Sequence, residues 1–140
     1  MNRLHATFAA LAITALSTGC GPGKIDQCNA LVDEGNKAQG SFIALEAALL
    51  SQDATQQRID KIAASAKAVK DVKLADPKLV DFRDRFAKGL DEYAKLLTEM
   101  KPLIKVDGKE DEYNKRVDAL NKISEDEDKL IDEVNKYCSP

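Results

Sequence analysis

Residues 76–104 read DPKLVDFRDRFAKGLDEYAKLLTEMKPLI, and this stretch decides the fold. Phe82, Phe86, Leu90, Tyr93, Leu97, Met100 and Ile104 recur every three or four positions, close to a 3.5-residue repeat. That is the period of a helix packed lengthwise against other helices. Its start is marked by Asp76-Pro77: an aspartate can accept hydrogen bonds from the free amides of a helix N-terminus, and proline is tolerated at the first helical position, where no donor is needed. Pro102 kinks the helix or ends it, because proline inside a helix removes a hydrogen bond and clashes with the preceding turn.

The flanking stretches carry the same periodicity. From about Asp26 to Leu50 it brings Leu31, Ala38, Phe42, Leu45 and Leu49 to one face, on a helix that Gly35 and Gly40 weaken by about 1 kcal/mol each relative to Ala. Ser51-Gln52-Asp53 reads as a turn, with Asp53 and Gln56 spaced as a capping box for a second helix whose apolar face is Ile59, Ile62, Ala66, Val69 and Val72. After Val106-Asp107-Gly108, a fourth stretch carries Tyr113, Val117, Leu120, Ile123, Leu130, Val134 and Tyr137. Four such helices with short turns predict an all-α fold, an up-down-up-down four-helix bundle. The alternative is a three-helix arrangement in which the first two stretches are irregular. Composition agrees with an all-α domain: of 140 residues, 44% are hydrophobic, 32% charged and 5% aromatic, with no Trp.

The N-terminus has a different character. Arg3 precedes an uncharged apolar run, Phe8 to Leu16, that is too short to span a bilayer and has the layout of a secretion signal. It closes with Leu16-Ser17-Thr18-Gly19-Cys20, which resembles the lipobox of bacterial lipoproteins, with Ser17 standing where that family most often has Leu. The resemblance implies removal of residues 1–19 by signal peptidase II and a diacylglycerol thioether on Cys20, in the bacterial cell envelope. Gly21, rather than Asp, after the lipidated cysteine implies the outer membrane, facing the periplasm. Two or three acyl chains, palmitate or similar, would anchor the chain stably, at about 0.8 kcal/mol per buried methylene. The alternative is cleavage by signal peptidase I, with Ser17 and Gly19 as the small residues and Cys20 left as a free thiol.

With Cys20 assigned to lipid, Cys28 and Cys138 remain as an even pair in an oxidising compartment and are expected to form a disulfide. The expected organisation is a signal peptide over 1–19, a lipidated tether over 20–27 and the bundle over 28–138. In an up-down-up-down bundle the start of the first helix and the end of the fourth lie at the same end, which is where these two cysteines fall.

The formal charge of −3 makes nucleic acid an unlooked-for partner. Residues 54–105 hold 12 bases and 8 acids, whereas 109–138 hold 6 bases and 10 acids, as expected of helices that pair complementary faces. Lys70, Lys73, Lys78, Arg83 and Arg85 cluster near the turn at Ala75-Asp76-Pro77, and they form a candidate membrane-proximal basic patch if that end faces the bilayer. The other turns, near Gln52 and Gly108, would then point away from the membrane toward partners.

His5 is the only histidine and lies in the signal segment. Removing it leaves no Ser-His or Cys-His nucleophile pair and no His-ligated metal, so neither an enzyme nor a cofactor is expected. Ser124-Glu125-Asp126-Glu127-Asp128 is the densest acidic group, but it lacks the glycine and terminal Glu of a calcium loop and reads as solvent-facing. The expected function is a lipid-anchored, non-catalytic module that binds an envelope protein or a surface polymer. The alternative is a carrier whose bundle opens at the Gly-containing first helix to hold a small apolar ligand.

Overall fold

The computed structural model describes residues 23–43 and 52–139, and over these the chain is helical with no strand. Helix α1 spans Lys24–Ile43, α2 Gln52–Lys70, α3 Pro77–Met100 and α4 Glu110–Cys138, with a 3-10 turn at Lys101–Leu103 between the last two. Residues 1–22, including the signal segment and Cys20, lie outside the described residues, as do Leu45, Leu49 and the side chain of Phe42.

Helix α3 is the central element. Its stripe from Phe82 to Met100 is buried throughout, and Leu79, Ala87 and Ala94 complete a face that α1, α2 and α4 cover. Burying each of the large residues is worth about 1.5–3 kcal/mol, so the core belongs mainly to this helix. Asp76 caps it, with Oδ1 accepting from the amides of Lys78 (2.9 Å) and Leu79 (3.1 Å), and Pro77 occupies the first turn. The helix stops at Met100, where Pro102 enters the 3-10 turn. Lys105 and Gly108 then turn the chain with φ of 58° and 77°.

Four expectations need correction. Helix α1 begins at Lys24, ahead of Asp26, so the first turn of the helix follows closely on Cys20 in the chain. Gln52 and Asp53 are helical and do not form a turn, which puts Asp53 inside the first turn of α2 and not ahead of it. The capping box is absent too: Gln56 donates to Asp60 Oδ1 (2.9 Å) and accepts from Lys101 Nζ (2.9 Å), because tying α2 to the end of α3 engages it better than reaching back along its own helix. The fourth is Glu127, which is buried where the acidic run predicts a solvent-facing side chain.

Cys28 and Cys138 are joined by a disulfide, with Cα atoms 5.8 Å apart and a separation of 110 positions in sequence. A loop of that length stabilises the fold by about 5 kcal/mol on the chain-entropy account. Around it, Gln27 Oε1 accepts from the amides of Ala75 and Asp76, and the Tyr137 hydroxyl donates to Asp76 Oδ2 at 3.0 Å. The start of α1, the α2–α3 turn and the end of α4 therefore meet at one end of the molecule.

Candidate functional site

Four places in the molecule carry chemistry that packing alone does not require. At the disulfide end, Lys24 Nζ stands 3.8 Å from the centroid of the Tyr137 ring, and Phe82 meets the same ring edge-on at 5.8 Å. Asp76 is held below the usual carboxylate range, chiefly by the Leu79 amide, and the Tyr137 hydroxyl is pushed up, chiefly because it donates to Asp76. Ile25 is 49% exposed beside Lys24.

The five residues of the basic patch divide here. Lys78 pairs with Asp81 at 3.6 Å and lies over the Phe82 ring at 4.6 Å. Arg83 donates to the Val72 carbonyl (3.2 Å) and to Asp84 (2.8 Å), and Arg85 donates both terminal nitrogens to Glu133 at 2.8 and 3.1 Å. Lys70 and Lys73 are exposed and make no salt bridge among the described residues. Of the five, Lys70 and Lys73 thus keep their charge outside any salt bridge, and Lys24 beside Tyr137 adds to the positive charge at this end.

The second place is an apolar groove between α1 and α4, floored by Phe82 and Phe86 and walled by Leu31, Val32, Leu130 and Val134. Gly35 lets α1 approach, since a Cβ there would meet Phe86 Cε1 at 3.3 Å. The groove encloses about 50 Å3. That is far below the roughly 300–1,000 Å3 of a small-molecule site.

Glu127 in α4 provides the third. The acidic run was expected to face solvent; Glu127 does not, being only 8% exposed, with Oε2 buried and without a hydrogen-bond partner. Its carboxyl lies directly over Gly89 of α3, where a Cβ would stand 1.7 Å from Oε1. Burial pushes its pKa up to about 8, against the smaller opposing pull of Arg85. The physical reason is position: 127 continues the inward stripe of Leu120, Ile123, Leu130 and Val134, so helical geometry turns this one acid inward. Its neighbour Asp126 turns outward to Lys129 at 2.8 Å.

At the opposite end from the disulfide, Leu103, Ile104, Val106 and Tyr113 surround a shallow concavity of about 370 Å3, with Val106 42% exposed. Sequence reasoning also passed over Gln27, Thr55 and Arg58, all buried. Burial pulls the Arg58 guanidinium down, and it pushes the Tyr93 phenol that Arg58 faces up to about 12.

Among the described residues no three His, Cys, Asp or Glu side chains converge on a point that could hold a metal ion. None of the described helices is long and apolar enough to cross a membrane. No family model, curated protein or solved structure matches the chain.

Proposed function

We propose that the chain is a lipid-anchored, non-catalytic envelope lipoprotein whose helical bundle binds an envelope protein or a surface polymer. The observation that carries this reading is the Cys28–Cys138 bridge, which occupies two of the three cysteines. The third, Cys20, closes a lipobox-like segment four residues before α1 begins. Four residues extend at most about 14 Å, so an anchor on Cys20 holds the disulfide end against the bilayer.

In this reading the helices run up, down, up and down. The bonds that gather Gln27, Asp76 and Tyr137 at one end support it, as does the Lys101–Gln56 bond that ties the end of α3 to the start of α2. Lys24, Lys70, Lys73 and exposed Ile25 then face the membrane, while Val106 and Tyr113 face a partner. Gly21 favours the outer membrane, with the bundle in the periplasm.

The intact mass of the protein extracted from envelopes tests the reading. It requires a chain beginning at Cys20, carrying a diacylglycerol and two hydrogens lighter than the reduced form. A chain whose Cys20 is an unmodified thiol overturns it.

The groove over Phe82 and Phe86 favours a second reading, a carrier for a small apolar ligand. With about 50 Å3 enclosed, α1 must swing away from Phe86 before anything larger than a water or two can enter. Native mass spectrometry separates the readings: a retained lipid supports the carrier, and a crosslinked envelope component supports the binding module.

A further inference from the structure

Helix α4 is held unevenly. Of its 29 residues only Leu120, Glu127 and Leu130 are buried, against nine on α3, and its C-terminal end is tied covalently through Cys138. One of the three buried contacts in its middle is therefore an ionisable group. That group sits over a glycine with an oxygen lacking any partner. A leucine in this position would hold α4 more tightly, and a solvent-facing glutamate would cost nothing.

We propose that Glu127 is a proton-operated latch: as the neutral acid it lies over Gly89 and holds the middle of α4 on α3, and on losing its proton it leaves for solvent and loosens that segment. The O–H bond of the carboxyl breaks, the proton passes to water, and the carboxylate recovers the hydration that the Gly89 contact denies it. The cations nearest to it are already engaged by other acids. On α3, Arg85 is engaged by Glu133 at 2.8 Å and Asp81 at 3.6 Å, and Lys88 is paired with Glu92 at 3.6 Å. On α4 itself, Asp126 is paired with Lys129, and Asp126 and Asp128, with Glu92 of α3, all disfavour a further negative charge.

Departure has a ready path, because the carboxyl borders a cleft of about 220 Å3 lined by Arg85, Lys88, Glu92, Ile123 and Leu130. Release uncovers Ile123 and Leu130 while the disulfide keeps the end of α4 in place. The inference is independent of the lipid anchor. It concerns a proton-binding site inside the bundle whose occupancy follows the pH of the surrounding medium.

The full chain with its disulfide intact, labelled with carboxyl-13C glutamate, tests it. One glutamate resonance should titrate near pH 8, apart from the others. It should vanish in Glu127→Gln and return to the ordinary glutamate range in Gly89→Ala, where the new methyl displaces the carboxyl. Amide protection over residues 120–131, corrected for intrinsic exchange, should fall about ten-fold per pH unit above about pH 8 in the parent chain. It should not fall in either variant, while residues 132–138 stay protected throughout. Titration of Glu127 with the other glutamates overturns the latch, as does an unchanged pH dependence over 120–131 in Glu127→Gln. Should that variant not fold, Gly89→Ala carries the same comparison.

Discussion

Gly89 and Glu127 fill one space from two helices, the carboxyl carbon of Glu127 standing 2.8 Å from where a Cβ on residue 89 would be. The atoms in the way belong to the far end of a flexible side chain, so Gly89→Ala has an inexpensive escape: the carboxyl swings out to water. The variant gains about 1 kcal/mol of helix propensity but gives up the contact that the neutral acid makes, so it should be the more stable chain above about pH 8, where the parent has lost that contact too. Urea denaturation at about pH 9 measures this, and a marked loss of stability there would show that the carboxyl has no other place to go.

The same pair sets how stability depends on pH. Glu127 holds its proton in the folded chain up to about 8, against an ordinary value of 4.5, so between these values the folded state binds more protons than the unfolded one. Its contribution is fully present below about pH 4.5 and is lost as pH rises through about 8. At about 1.4 kcal/mol per unit of difference, the loss is on the order of 5 kcal/mol. Unfolding free energies measured across this range should decline in the parent chain and stay nearly level in Glu127→Gln.

Asp76 works with the opposite sign. Its depressed pKa means that its contribution is present above the ordinary aspartate range and is lost as pH falls through the lower folded value. Asp76→Ala should lower Tm by several degrees and Asp76→Asn by less, because asparagine still caps α3 but brings no charge. Equal losses from the two variants, measured by thermal melts, would count against the capping role.

Truncating the stripe itself should be far more damaging. Leu97 is fully buried on α3, and Leu97→Ala should cost about 2–5 kcal/mol through lost contacts and a residual cavity. Replacing Cys28 and Cys138 together with Ser should cost about 4–5 kcal/mol. Equilibrium unfolding measures both, and the two should add, since Leu97 lies well along α3 from the bridged end.

The proposed orientation on the membrane can be tested through Lys70 and Lys73, which make no salt bridge among the described residues. Lys70→Glu with Lys73→Glu should weaken association of the delipidated chain with anionic vesicles several-fold, each lysine contributing up to about 1 kcal/mol. The same change at Lys78 should do less, because Asp81 already partners it. Equal binding by all variants in a sedimentation assay would remove the basic end from the account.

Much of this architecture is legible in the sequence where one local rule acts alone. Asp76-Pro77 starts α3 as its chemistry dictates, the stripe from Phe82 to Ile104 is buried without exception, and Cys28 pairs with Cys138. Reading fails where two rules compete. Glu127 sits in an acidic run that suggests solvent, yet the spacing Leu120, Ile123, Leu130, Val134 leaves an inward slot that only residue 126 or 127 can fill. Extending the stripe through the run would have found it. The apolar face of α2 likewise continues back from Ile62 through Arg58 and Thr55, which polarity hid. The need for glycine at 89 was out of reach, because it arises from a carboxyl 38 positions away on another helix.

The bridge between Cys28 and Cys138 also governs what a protease can accomplish. A nick at the open loop around Gly108 severs the backbone between α3 and α4, but α4 stays tethered to α1 through sulfur. Both fragments travel together until a reductant parts them, so clipped and intact molecules migrate alike on a non-reducing gel and separate only once thiol is added.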